Sequence, residues 1–241
     1  MPSAIRVLLI QARRLPEIER QEQQCFLECG RLRPDQLRCV NVTRDALHPD
    51  LLDGIDAVLL GGSGEFSATE RYPWTESLQT LLLGAADRNL PMFGSCWGHQ
   101  TLAVTFGSEV RRDPDHAEFG SGEVALAEAG RHDPVFRYLP DRFRVNMGHR
   151  DRVVALPPGG IELARNAQPF QAFRLTDRPI YGTQFHSELN ARRLRERLQA
   201  YRDLYIDVLG PEGFRQAMQA ATTPEADELV YRFLCTYTAH R

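Results

Sequence analysis

One stretch of this chain has the residue types and spacing of a thiol nucleophile. Met92-Phe93-Gly94-Ser95-Cys96-Trp97-Gly98-His99-Gln100 runs from an apolar strand, through Gly-x-Cys-x-Gly, into a helical pattern. A nucleophile on a sharp strand-to-helix turn is thrust out of the sheet on a strained backbone. Glycines two positions to either side remove side chains that would clash there. The same turn puts Cys96 at a helix N-terminus, where the dipole favours the thiolate. A buried structural cysteine beside a Gly-rich turn is the other reading of an isolated motif. The strand before it and the helix after it favour the nucleophile.

A cysteine nucleophile needs a base, and the base needs an orienting partner. Ile180-Tyr181-Gly182-Thr183-Gln184-Phe185-His186-Ser187-Glu188 offers both. Residues two apart in an extended segment point to one side, so His186 and Glu188 share a face. His186 would take the thiol proton and Glu188 would fix the imidazole tautomer; a surface His-Glu pair is the plainer alternative. Attack on an amide also needs donors for the oxyanion. Leu59-Leu60-Gly61-Gly62-Ser63-Gly64-Glu65 is a strand ending in a Gly-rich turn whose backbone N–H groups could serve. The turn is not a dinucleotide fingerprint, because G-x-G-x-x-G fails at Ser67.

These segments need a scaffold that brings strand ends together. Residues 5–10, 36–42, 55–60 and 91–95 read as strands, and 16–30, 74–89 and 97–106 as helices, with Trp74 anchoring the start of its helix. Such alternation predicts an α/β fold with a doubly wound, mostly parallel sheet flanked by helices. From 119 to 185, short strand candidates (119–128, 142–147, 152–156, 161–165, 170–175, 179–185) are punctuated by turns such as Pro157-Pro158-Gly159-Gly160. They predict an added, small antiparallel section. Residues from 189 on are helical, broken at Gly210-Pro211, with a last helix starting near Thr222-Thr223-Pro224-Glu225.

The 241 residues are 42% hydrophobic and 25% charged, a globular composition. A net charge of −3 argues against a general nucleic-acid binder. All 29 basic residues are arginine, which excludes lysine Schiff bases and phosphate-loop lysines. Met1-Pro2-Ser3-Ala4 begins no signal-peptide pattern, and no apolar run reaches membrane-span length. Five cysteines without C-x-x-C spacing suit a reducing, cytoplasmic setting.

The Gly-rich strand end, the G-x-C-x-G-x-Q elbow and the Q-F-H-x-E segment, in that order, resemble the class I (triad-type) glutamine amidotransferase family. A further stretch is similar to the glutaminase domain of GMP synthetases. It runs from Glu118-Phe119-Gly120 through Met147-Gly148-His149-Arg150-Asp151-Arg152-Val153 to Gln184-Phe185-His186, and the resemblance covers roughly residues 4–190. It implies a flavodoxin-like domain over 1–190, with 191–241 as a helical extension of the same domain. It implies Cys96 as nucleophile, His186 as base and Glu188 as third member, with an oxyanion hole from the backbone N–H groups of Gly62 and Trp97. Gln100, Gly64 and the Gly148-His149 backbone would hold the amino-acid end of glutamine. The implied reaction is attack of Cys96 on the side-chain amide, loss of ammonia, and hydrolysis of a γ-glutamyl thioester to glutamate. No cofactor or metal is implied. Glutamine or another γ-glutamyl compound is the expected substrate and a synthetase the implied partner; neither nucleic acid nor membrane is expected.

Ser63 and Ser187 stand where many members have Pro. Gly148 replaces a serine of the closest pattern and Arg150 a glycine, which predicts a more open, more cationic mouth. His149, Asp151, His186 and Glu188 also read as a metal cluster, and His149 with Asp151 as a structural pair fixing a loop. Cys25 and Cys29 share one helix face, a packing pattern more than a redox one. Arginines 192, 193, 195, 197 and 202 read most simply as a solvated helix face, with partner docking as the sharper alternative. Three function classes follow: an ammonia-supplying glutaminase, a freestanding γ-glutamyl hydrolase, and a catalytically silent binding module.

Overall fold

Three Gly-containing strand ends converge because their strands lie side by side. The computed structural model describes residues 5–239. Strands β1 (Val7–Gln11), β2 (Leu37–Asn41), β3 (Ala57–Leu60) and β4 (Met92–Ser95) alternate with helices α1 (Pro16–Gly30), α2 (Thr75–Asp87) and α3 (Trp97–Thr105). Pro16 at the first helical turn and left-handed Arg31 just past Gly30 set the ends of α1. Strands β1, β3 and β4 are buried along their whole length, as expected where helices cover both faces.

After α3 come β5 (Val110–Arg112), β6 (Glu118–Leu126), α4 (Glu128–His132), β7 (Arg142–His149), β8 (Asp151–Val153), β9 (Gly160–Arg165), β10 (Ala172–Leu175) and β11 (Ile180–Thr183). Helices α5 (Ala191–Ala200), α6 (Arg202–Ala220) and α7 (Leu229–Thr238) follow. The main sheet has the order β2-β1-β3-β4-β11-β10-β9-β6-β7, and β5 pairs with β8 in a two-stranded sheet. From β2 to β11 the pairing is parallel; from β11 to β7 it is antiparallel. Leu60, Gly94 and Gly182 stand in register across β3, β4 and β11. The turns that leave these strands therefore open on one carboxyl edge of the sheet, where doubly wound folds place their sites.

One face packs α1 and α7 through Phe26, Phe93 and Phe233. The other packs α2 and α3 through Leu78, Leu82, Trp97 and Leu102. Trp74 precedes α2 and meets Trp97 edge-on at 5.8 Å, beneath the elbow. Among the described residues no helix is long and apolar enough to cross a membrane.

Two sequence expectations shift and one break holds. The last helix begins at Leu229, not near Thr222, because Glu225 is tied to strand β7. Its carboxylate accepts from Arg144 N at 2.7 Å and its own N–H donates to Arg144 O at 3.0 Å. The break expected at Gly210-Pro211 is present: Gly210, at φ 70°, kinks α6 between its two halves. The arginines of α5 are not simply a solvated face. Arg193 and Arg192 reach Glu28 on α1, Arg195 caps carbonyls of Met218 and Ala221, and Arg197 is buried against Gln21. The cause is tertiary: α5 lies on α1, which presents those partners.

Candidate active site

The elbow at Cys96 is built by two close approaches. A Cβ on Gly94 would lie 2.4 Å from the Gly98 carbonyl carbon, and one on Gly98 would lie 2.6 Å from Leu60 Cβ. Neither position accepts a side chain, so the sequence pattern has a steric cause. Cys96 itself adopts φ 52° and ψ −102° just before α3, a conformation that costs a non-glycine residue strain. Its N–H donates to Thr183 O at 2.8 Å, and Gly98 N–H donates to Gly61 O at 3.0 Å. These bonds lock the elbow to β11 and to the Gly-rich loop.

His186 and Glu188 leave β11 on the same edge. His186 Nδ1 lies 2.6 Å from Glu188 Oε1, and Cys96 is near enough for its sulfur to bear on the charge of the ring. The position of a Cβ on Gly62 is 2.9 Å from His186 Cε1 and 3.7 Å from Cys96 Cβ, so thiol, imidazole and Gly-rich loop are neighbours. Ser95 Oγ donates to Glu188 Oε2 at 2.8 Å, fixing the carboxylate from behind. His186 N–H donates to Asn146 O at 2.8 Å. The Asn146 carboxamide in turn donates to Leu189 O at 2.7 Å and Thr222 O at 2.9 Å.

Burial alone would push His186 down. The Glu188 carboxylate and the Cys96 sulfur overcome it and raise the imidazole to about 10. Burial likewise opposes ionisation of Glu188, yet His186 and Ser95 hold its carboxyl below the usual range. The arrangement favours an imidazolium against the Glu188 carboxylate.

The other expected residues gather around a cleft of about 230 Å³. Gly64, Gln100, Gly148 and His149 line it with Cys96 and His186. Gln100 Nε2 donates to Asp151 O at 2.7 Å and to Gln184 Oε1 at 3.1 Å. His149 is held at both ring nitrogens, 3.1 Å from Asp151 O and 3.1 Å from Glu118 Oε2. Asp151 takes the Ser67 hydroxyl. His149 and Asp151 thus brace the loop and do not share partners with His186 and Glu188.

The Gly62 N–H does not point into the cleft as the resemblance implied: it donates to Glu22 Oε1 at 3.0 Å. Glu22 is fully buried and bound by Arg13 Nη2 at 2.6 Å and Gln11 Nε2 at 2.9 Å. Beside its arginine partner Glu22 also accepts the Gly62 N–H, which ties the Gly-rich loop to α1. Trp97 N–H is in the first turn of α3 and has no intrahelical acceptor.

Gln184 of the Q-F-H-x-E segment places Nε2 3.7 Å from Cys96 Sγ. Two residues at the site carry no signal in the sequence. Tyr201 and Tyr205 line the cleft from the helical extension: the Tyr201 ring is 3.3 Å from a Cβ position on Gly64, and Tyr205 Oη is 3.0 Å from one on Gly148. Helical periodicity marks both tyrosines as an apolar face and gives no hint of what they face.

A family model described as glutamine amidotransferase class-I matches residues 23–201. The chain is similar to a glutamine-hydrolyzing GMP synthase subunit from Pyrococcus abyssi, with 37% identity over 125 residues, 52% of this chain and 64% of that one. It is 31% identical over 160 residues to the subunit of the same name from Thermoplasma acidophilum, 66% of this chain and 73% of that one. The match to the Pyrococcus protein spans less than two thirds of its length. A solved glutamine amidotransferase from Thermotoga maritima has the same fold, with a TM-score of 0.78 at 23% identity over 98% of both chains. The extent of the family match, together with the Thermoplasma relative, places this chain in the class I glutamine amidotransferase family.

Proposed function

We propose that the chain hydrolyses the γ-amide of glutamine, or of a related γ-glutamyl compound, through a thioester on Cys96. The observation that supports this most is the continuous line from Cys96 through His186 to Glu188, buried at the floor of the cleft. In this reading His186 takes the proton of Cys96. The thiolate attacks the γ-carbonyl, the C–N bond breaks, and His186 passes its proton to the leaving amine. Water then attacks the thioester, His186 takes its proton, and the C–S bond breaks to release glutamate. Trp97 N–H stabilises the oxyanion. Gln100, Gly64 and the Gly148-His149 backbone hold the amino-acid end.

The relatives named as GMP synthase subunits support a synthetase as partner. Helices α5 and α6 over the cleft support turnover by the isolated chain. The test is glutamate release from glutamine and from a γ-glutamyl dipeptide, with Cys96→Ala as control. Release from either that vanishes in the control is the expected result. No glutamate from either, with or without a synthetase, refutes it.

A further inference from the structure

The sulfur of Cys96 has a second polar neighbour besides His186. Gln184 is buried just past β11, and its Nε2 lies 3.7 Å from Sγ. Which end of that amide faces the sulfur is decided by its other partner. The Gln100 side chain stands 2.7 Å from the Asp151 carbonyl oxygen, an atom that only accepts, so Gln100 must present its NH₂ there. The same NH₂ is 3.1 Å from the Gln184 side chain, which must answer with its oxygen. The Gln184 NH₂ is then left to face Cys96. A flipped Gln184 amide would set two NH₂ groups against each other and turn a carbonyl oxygen on the sulfur.

The line is anchored at its far end. The Asp151 oxygen also lies 3.1 Å from His149 Nδ1, and His149 Nε2 lies 3.1 Å from Glu118 Oε2. Gln171 Nε2 donates to that same carboxylate at 2.6 Å, and the Gln184 backbone N–H donates to Gln171 O at 2.8 Å. Backbone and side chain of Gln184 are thus both fixed by groups other than the sulfur. A donor held in this way meets a developing charge without having to reorganise. The Gly148 carbonyl oxygen, 3.9 Å from Sγ, can take the hydrogen of the thiol but offers a thiolate nothing.

We propose that Gln184 is a catalytic residue whose NH₂ holds the Cys96 sulfur whenever that sulfur carries charge, and that Gln100 is the positioning residue that fixes which way the amide points. This rests on the reading of Cys96 as the nucleophile. The donor acts twice. Once His186 has taken the thiol proton, it stabilises the sulfur that attacks the γ-carbonyl. After water has added to the thioester, the C–S bond breaks, the sulfur departs with the bonding pair, and the same NH₂ meets its charge. In the thioester between these steps the sulfur is neutral and the contact is weak, so the stabilisation falls where the charge is. Gln100 does its part with its nitrogen alone, which leaves its oxygen for the amino-acid end of the substrate.

The experiment follows iodoacetamide alkylation of Cys96 in the full-length protein, mapped by mass, from about pH 6 to about pH 10. Gln184→Met keeps the length of the side chain and removes the donor. It should slow alkylation about five- to tenfold near neutral pH. The two rates should converge towards about pH 10, where the thiol ionises without help. Gln100→Leu should slow alkylation about two- to fivefold, and add nothing further in the Gln184→Met protein, because it acts only through that amide. Gln100→Leu also carries the pH test if Gln184→Met does not fold. Equal rates in wild type and variant near neutral pH overturn the proposal. So does slowing by one factor at every pH, which a distorted elbow would give. A full effect of Gln100→Leu on top of Gln184→Met overturns the positioning role of Gln100. Glutamate release by the wild type, with alkylation unchanged in Gln184→Met, refutes this inference and leaves hydrolysis at Cys96 standing. Slowed, pH-dependent alkylation in the variant, with no glutamate from the wild type, does the reverse.

Discussion

Glu188→Gln isolates the carboxylate that holds the charge on His186. The new amide keeps the shape of the carboxylate, and its oxygen still accepts from Ser95 Oγ, now 2.8 Å away. Its NH₂ then donates to His186 Nδ1, which leaves the proton on the other nitrogen and the ring unable to take one from Cys96. The rise of His186 from its ordinary 6.5 to about 10, won against burial by Glu188 and then Cys96, corresponds to roughly 5 kcal/mol in favour of imidazolium. Even half of it, about 2 kcal/mol, is some tens-fold in the imidazolium population. Alkylation of Cys96 by iodoacetamide near neutral pH should therefore slow by about ten-fold or more. Stability should follow the same pair. His186 binds its proton more tightly folded than unfolded, so its contribution is complete below about pH 6.5 and fades as pH rises through about 10. Glu188 is held low, so its contribution exists above the ordinary carboxylate range of about 4.3 and is lost on acidification. The stability gap between wild type and variant should be widest from about pH 5 to 7 and close towards pH 10. Wild-type alkylation of Cys96 in the variant at neutral pH would refute the coupling.

Three other outcomes follow from the same geometry. Burial pushes the Cys25 and Cys39 thiols up to about 12, so at neutral pH only about one in 10⁵ is thiolate, and brief alkylation mapped by mass should mark Cys96 long before either; equal marking of Cys25 refutes the assignment. Gly94→Ala and Gly98→Ala should each cost about 1–3 kcal/mol in urea unfolding, since each methyl meets backbone or Cβ atoms within 2.6 Å; unchanged midpoints would show that the elbow relaxes freely. Glu22→Ala leaves the Arg13 guanidinium buried without its acid, and should cost about 3–5 kcal/mol; a thermal midpoint at the wild-type value counts against the pair as the anchor of the Gly-rich loop.

Much of the site is legible because its chemistry is local in sequence. Gly94, Cys96 and Gly98 sit within one turn, and His186 and Glu188 are two residues apart. The partners that tune them are not local. Ser95 meets Glu188 across 93 positions, and Arg13 meets Tyr201 across 188. Nothing in the pattern of Arg13 or Glu22 marks them as the pair that holds the Gly62 N–H. Buried ion pairs obey no periodicity, and a carboxylate in a helix reads by default as a solvated one.

The same division runs through the fold. The helix over 16–30 and the strands that end at Leu60 and Ser95 declare themselves through their own apolar runs and end signals. The strand Val110–Arg112 is three residues long and half-exposed, and the Glu128–His132 helix is one turn, so neither has a period to read. The placement of β6 between β9 and β7 is a property of pairing across the sheet. Yet that placement decides the site. The β6–β7 hairpin carries Gly148 and His149 to the cleft, and Asn146 hands its carbonyl to His186. The Asn146 carboxamide then ties in Leu189 and Thr222, at the two ends of the helical pair that brings Arg197, Tyr201 and Tyr205 over Cys96. The Cys96-His186-Glu188 line belongs to the parallel half of the sheet. The rest of the cleft lining comes largely from the antiparallel half and from α5 and α6, the parts of the chain whose pairing the sequence pattern leaves open.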